Sequence, residues 1–177
     1  AIESDEDFAN GDYYSGNHPK KGLSLARMIG HKVFISLRTL ASRASKEIKK
    51  EEDSSWYQIQ SSIESYMLHQ GQKFVKRFDA NTYLRILDAW QNFDILDECG
   101  FNDYKEMFSR CSHQKYLIFT INSDVCFYPH HQEELSASLT EGGIDPMHIT
   151  VHSEKGHDSF LLEPELFAPH ISYALNN

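Results

Sequence analysis

The sequence predicts an α/β fold for its last third, and three observations carry that expectation. Lys115-Tyr-Leu-Ile-Phe-Thr-Ile121 is a continuous apolar and β-branched run with polar flanks, the text of a strand buried on both faces in a parallel sheet. Met147-His-Ile-Thr-Val151 is a second run of the same kind. Between and after them lie helical texts: one opened by Pro129, running over Glu133 to Leu139 and stopped by Gly142-Gly143, and one from Glu163 to Leu175 that Pro169 breaks or kinks. Strand, helix, strand, helix is the α/β order. Two parallel strands do not make an independent sheet, so the expectation is that further strands come from elsewhere.

The rest of the chain reads differently. Residues 1–22 are acidic and then rich in Gly and Tyr, with turn formers at Asn10-Gly11, Gly16-Asn17 and Pro19, and predict a loop. About twenty residues of loop is an unusual start for a domain, which predicts that this chain begins in the middle of something. From Leu23 to about Asp94 the pattern is helical. Leu23, Ala26, Ile29, Gly30 and Val33 share one face. The charged run from Lys46 to Asp53 reads as a solvated linker or helix end. Ile59, Ile63, Tyr66, Met67, Gln70 and Phe74 recur at helical spacing and predict an amphipathic helix. Asp79 is a good N-cap for a further helix carrying Tyr83, Leu87 and Trp90 on one face.

Composition narrows the function classes. The 177 residues are 40% hydrophobic, 24% charged and 12% aromatic, which is ordinary globular text. Twenty-six acidic against 17 basic residues leave a formal charge of −9, with no overall footprint for nucleic acid or anionic lipid. No apolar run is long enough to span a bilayer and no basic-then-apolar leader opens the chain. Cys99, Cys111 and Cys126 are an odd number at unrelated spacings and fit free thiols in a reducing cytoplasm.

Chemistry in an open α/β sheet gathers where strands end. The first predicted strand runs into Asn122-Ser123-Asp124 and the second into His152-Ser-Glu-Lys-Gly-His157-Asp158. One carboxylate and one imidazole thus leave the same sheet edge, joined by one crossover. An acid that orients a histidine, which activates a nucleophile, needs this arrangement. In α/β-hydrolases the chain order is nucleophile, acid, His, so the nucleophile is expected upstream of residue 1. Gly22-Leu-Ser24-Leu-Ala26 loosely matches G-x-S-x-G, but no strand precedes it and a helix pattern begins there, so it reads as a chance match. Cys126 reads as a packing or pocket-lining thiol. His130-His131, His148 and His152 have neither a Cys pair nor an H-x-x-x-H helix beside them, so no metal site and no bound cofactor are expected.

Several stretches taken together resemble the homoserine O-acetyltransferase family, acyltransferases of α/β-hydrolase fold. They are Asp7-Phe8 with Gly11-Asp-Tyr-Tyr14; Gly22-Leu-Ser-Leu-Ala-Arg-Met-Ile-Gly-His31; Glu64-Ser-Tyr66; Gln70-Gly71; Lys73-Phe-Val-Lys-Arg-Phe-Asp-Ala-Asn-Thr-Tyr-Leu84; Ser123-Asp124; and Gly156-His-Asp158-Ser-Phe-Leu-Leu162. The resemblance covers nearly the whole chain in order. It implies the C-terminal half of such an enzyme: residues 1–22 a loop entering a helical lid, 23–112 the lid, and 113–177 the last part of the hydrolase core. The half with the nucleophile elbow and oxyanion hole is then absent from this chain.

What the resemblance implies for single residues is specific. Asp124 matches the triad acid and His157 the general base. Arg27 matches the arginine that grips the substrate carboxylate, and Asp158 the acid that holds its α-ammonium. A zwitterionic amino alcohol needs one fixed cation and one fixed anion to aim its hydroxyl. The family usually has Tyr seven residues after the arginine, where this chain has Phe34. The implied reaction is ping-pong transfer from acyl-CoA, a co-substrate, to homoserine, with acetyl or succinyl donor and homoserine or serine acceptor left open. The resemblance further implies a homodimer formed through the lid, with Ile59, Ile63, Met67 and Phe74 facing a partner. Two other readings stand beside it: a non-catalytic lid-and-dimerisation module or degenerate paralogue, and a hydrolase of the same fold.

Overall fold

The structure is a computed structural model and describes residues 1–46 and 61–176. The elements are α1 (Lys20–Phe34), α2 (Leu37–Lys46), α3 (Ser62–Val75), α4 (Ala80–Asn92), α5 (Ile95–Cys99), α6 (Tyr104–Arg110), β1 (Leu117–Ile121), α7 (Pro129–Glu141), β2 (Met147–Val151), α8 (Ser159–Leu162) and α9 (Ala168–Asn176), with 3₁₀ turns at Ala9–Gly11 and Pro164–Leu166. Ile59 and the charged run beyond Lys46 lie outside the described residues. Two compact units result: Ala1–Val33 with Leu37–Asn92, and Phe34–Ser36 with Phe93–Asn177.

The first unit is helical. Ile2, Tyr13, Leu23, Phe74 and Ala80 form its core, flanked by Phe8, Ala26, Phe78 and Tyr83. The predicted loop is therefore not a free entry segment, because Ile2 and Tyr13 are buried parts of that core, and the helix begins at Lys20 rather than after Gly22. Tyr13 is fixed by chemistry as well as packing. Its hydroxyl donates to Asp79 Oδ1 at 2.6 Å and accepts from the Asn81 backbone N–H at 2.9 Å. Asp79 Oδ2 caps α4 by accepting the Thr82 N–H at 2.8 Å, as its sequence position predicts. Ser61 and Glu64 form a reciprocal capping box at the start of α3. Gly71 on α3 meets α1 at closest approach: a Cβ there would stand 2.2 Å from Ser24 Oγ and 2.9 Å from Ser24 O. Only glycine allows the two helices to cross at that distance.

The amphipathic stripe needs correction. Tyr66 and Phe74 on α3 are buried within the unit, and Ile63 alone of the expected dimer-facing residues described is largely exposed. Phe74 serves the unit's own core and is not available to a partner.

The second unit carries the strands. β1 and β2 pair in parallel with Leu117 opposite Met147 and Ile121 opposite Val151. α7 makes the crossover. Side chains alternate across the sheet as strand geometry requires. Ile118 joins Met107, Phe108, Leu139 and Ile144 on one face. Phe119, Ile121, Ile149 and Val151 line the other, where Phe167 packs with its ring 5.1 Å from that of Phe119. β1 is less enclosed than its text predicts, since Leu117 and Phe119 are half-buried. Pro169 ends the closing helix on its N-terminal side, leaving a 3₁₀ turn at Pro164–Leu166 before α9. The division falls after Asn92, not at 112/113: α5 and α6 belong with the strands because Leu96, Phe101, Met107 and Phe108 pack in the Ile118 core.

Candidate active site

Three consecutive residues after β1 bind three positions of the loop after β2. Asn122 Oδ1 accepts the Ser153 N–H at 2.9 Å, Ser123 Oγ accepts the Gly156 N–H at 3.0 Å, and Asp124 Oδ2 accepts from His157 Nδ1 at 2.8 Å. Ser153 Oγ in turn donates to Glu163 Oε2 and accepts the Lys155 N–H. Parallel pairing in register sets the two loops side by side, and this ladder of side-chain bonds locks them.

Asp124 is buried, at 5% exposure, and each of its oxygens is occupied. Oδ1 accepts the backbone N–H groups of Cys126 at 2.7 Å and Phe127 at 3.0 Å, leaving Oδ2 for the histidine. A carboxylate held at both oxygens cannot turn away. Its contact places the proton of neutral His157 on Nδ1. Nε2 is then the free base, and among the described residues it has no hydrogen-bond partner. The rings of Phe127, Phe34 and Phe160 stand 5.2, 5.6 and 5.7 Å from the imidazole and hold its plane. A cavity of about 460 Å³ opens beside it, walled by Phe119, Ile121, Phe127, Phe160 and Phe167. Oriented base and apolar wall are what proton abstraction from a hydroxyl requires.

The base is aimed by a backbone feature. Gly156 has φ +76°, and a Cβ on it would stand 2.8 Å from Ser36 N and 3.1 Å from Phe34 O. Segment 34–36 lies against residues 154–158: the Phe34 carbonyl accepts the Asp158 N–H at 3.1 Å, and Ser36 Oγ donates to Glu154 O. Asp158 follows at the start of α8, half-buried, and its carboxylate caps nothing and has no partner among the described residues. Burial, and then the carboxylates of Asp124 and Asp158, push the Cys126 thiol up from its ordinary range. A protonated thiol is a poor nucleophile, which fits a lining role for Cys126.

The other candidates separate. Arg27 lies on α1 in the first unit, its guanidinium 5.3 Å from the centre of the Phe74 ring and 3.3 Å from His31 Nδ1. His31 Nε2 contacts the Tyr66 hydroxyl at 3.1 Å. Burial and then the charges of Arg27 and Arg43 lower the His31 pKa to about 4, so it is neutral at pH 7 and accepts from Arg27. Ser24 sits inside α1, buried against Gly71, and is no nucleophile elbow. His148 Nε2 pairs with the buried Thr120 hydroxyl, while His130 stacks on exposed Tyr128 and His131 meets that ring edge-on. His152 is exposed. Among the described residues no three His, Cys, Asp or Glu side chains form a metal-sized group, all three cysteines are free, and no helix is long and apolar enough to cross a membrane. Sequence reasoning missed Asn122 and Ser123 as clamps and Phe127 and Phe160 as the walls of the histidine. The alternation of the N-S-D triplet beyond a strand end was the available signal.

Comparison with known proteins gives this pair a setting. The chain is 36% identical to the homoserine O-succinyltransferase of Nitrosomonas europaea over 178 residues, covering 100% of this chain and 47% of that protein. It is 34% identical to the homoserine O-acetyltransferase of Haemophilus influenzae over 171 residues, 97% of this chain and 46% of that protein. Among solved structures, the homoserine O-acetyltransferase from Bacillus anthracis superposes with a TM-score of 0.83 at 21% identity, over 99% of this chain and 46% of that one. Esterase E22 superposes at 0.82 and 19% identity, over 98% and 47%. No protein-family model matches. The fold is thus that of an α/β-hydrolase, of which this chain makes up about half. The curated relatives that it matches at 34–38% identity are homoserine O-succinyl- and O-acetyltransferases, and the chain spans about half their length or less.

Proposed function

We propose that this chain is the acid- and base-bearing part of an O-acyltransferase that moves an acyl group from acyl-CoA to the hydroxyl of homoserine. The observation that carries the reading is the buried Asp124 holding His157 through Nδ1 with Nε2 left as base. Homology to homoserine O-succinyl- and O-acetyltransferases supports the acceptor.

In this reading the nucleophile is a serine hydroxyl supplied outside these 177 residues. His157 Nε2 takes its proton as the serine oxygen attacks the thioester carbonyl. The C–S bond breaks, and the departing thiolate receives the proton from His157. The homoserine hydroxyl then gives its proton to the same nitrogen and attacks the acyl-serine. The bond between the acyl carbon and the serine oxygen breaks, and His157 returns the proton to that oxygen. Asp124 stabilises the imidazolium in both halves. Asp158, whose carboxylate is uncommitted, takes the ammonium of the acceptor, and Arg27 its carboxylate. Phe34, beside His157 where the family usually has Tyr, leaves that edge of the site without a hydroxyl. The protein acts in the cytoplasm as a homodimer in this reading.

The test is single-turnover acylation by acetyl-CoA and succinyl-CoA of the full-length protein containing this chain, followed by mass spectrometry. His157→Ala is expected to abolish both the acyl-enzyme and transfer to homoserine. Undiminished transfer in that variant defeats the reading, and acyl-enzyme lost to water rather than to homoserine makes the protein a hydrolase.

A further inference from the structure

The first unit contains a second cavity, of about 420 Å³, bounded by the start of α1, the end of α3 and the start of α4. Its charged lining is unusual for a chain of net charge −9: His18, Lys20, Lys76 and Arg77 all face it. Neither Lys20 nor Lys76 has an ion-pair partner among the described residues, although neighbouring Lys21 is paired to Glu6 at 2.8 Å. The Arg77 guanidinium lies over the Phe74 ring, 5.4 Å from its centre, and is thereby pre-positioned. His18 is set by edge contacts with Tyr13 and Tyr14. The one carboxylate in the lining, Asp79, is spent on the Tyr13 and Tyr14 hydroxyls and on Thr82. The remaining wall is apolar: Pro19, Leu23, Val75 and Phe78.

We propose that this cleft binds the phosphate group of a nucleotide, with the organic part against the apolar wall. Three cations line this cleft and none is ion-paired among the described residues; such a set suits a doubly charged phosphoryl group better than a single carboxylate, and the arginine fork matches two of its oxygens. The volume exceeds that of a bare ion. The site lies in the first unit; with a free nucleotide as its ligand it stands apart from the acyl-transfer reading, and with coenzyme A it rests on that reading. Two sources present this chemistry: a free nucleotide, or the phosphorylated adenosine end of coenzyme A.

The experiment is calorimetric titration of the full chain with AMP, 3′,5′-ADP, CoA and dephospho-CoA, repeated on Lys76→Ala/Arg77→Ala and on Lys20→Ala. Lys105→Ala, on α6, is the control. Binding by wild type that weakens at least about ten-fold in the double variant and falls with added salt supports the site. CoA binding about ten-fold tighter than dephospho-CoA supports it with coenzyme A as the source, and AMP matching CoA supports it with a free nucleotide. No binding of any probe at millimolar concentration, or binding equal in wild type and double variant, overturns it. The substituted side chains are exposed, and an unchanged circular dichroism melt confirms that the variants fold.

Discussion

Tyr13 and Asp79, 66 positions apart, share a 2.6 Å hydrogen bond that ties the N-terminal segment to the cap of α4. Tyr13→Phe keeps the ring but strips Asp79 of a donor and leaves the Asn81 N–H without its acceptor. A loss of about 1–3 kcal/mol is expected in urea unfolding. Burial alone would raise the Asp79 carboxyl, but the bonds from Tyr13 and Thr82 outweigh it and the net shift is downward. Such a group adds stability above its unfolded pKa and loses it as pH falls through the lower folded value. Tyr13→Phe should therefore flatten the acid limb of the stability profile. An unchanged midpoint and acid limb would remove this bond from the stability account.

His31 gives a pH dependence at higher pH. The unfolded chain binds a proton near 6.5, while the native histidine binds one only near 4. Stability is then constant above about 6.5, falls between about 6.5 and 4, and levels off below. The total is of order 3 kcal/mol, at 1.4 kcal/mol per unit for one proton. His31→Gln should lose that slope between pH 6.5 and 4. An equal slope in the variant assigns the effect to other groups.

Asp124→Asn tests the orientation of the base. The amide oxygen keeps the Cys126 and Phe127 N–H groups, so its NH₂ faces His157 Nδ1. The imidazole proton moves to Nε2, and the base is lost with little change of shape. Acyl transfer by the full-length protein should fall about 10³–10⁴-fold. A fall of less than ten-fold would make the contact structural only.

Asp158→Asn separates acceptor from donor chemistry. A bond to a charged group is worth roughly 1.5–3 kcal/mol, so kcat/KM for homoserine should fall by about 10- to 100-fold. Burst acylation should change much less. Equal losses in both halves would sink the substrate-binding role.

Gly156→Ala tests the aiming of His157. The positive φ and the 2.8 Å approach to Ser36 N leave no room for a methyl group. The variant should lose about 2 kcal/mol or more, by thermal unfolding, together with acyl transfer. Normal melting and activity would show that the loop adapts freely.

Much of this was legible in the text, for a physical reason. β2 spans the five residues whose apolar run marks it, and β1 starts at Leu117, two residues inside its run, because Lys115 and Tyr116 lie beyond the pairing. Strand ends place Asp124 and His157, so the pair followed from the pattern. Asp79 declared itself as a cap. Short α5 and α6 carry too few turns for periodicity to register, so Met107 and Phe108 were assigned to the helical region although they pack under β1. The spacing that puts Phe74 on a stripe does not say which neighbour covers it. Arg27 stood out only by resemblance, since nothing in local spacing distinguishes it from a surface cation.

The acid and base are contributed by one strand–helix–strand stretch, 33 positions apart, and every bond between their loops closes inside it. This has a consequence for heredity. None of these bonds is made by residues 61–92, so a lineage is free to change the exposed positions of those helices while inheriting the proton-transfer pair intact. The N-S-D and G-H-D triplets should accordingly be passed on as a block, while changes in the helices fall on their exposed positions.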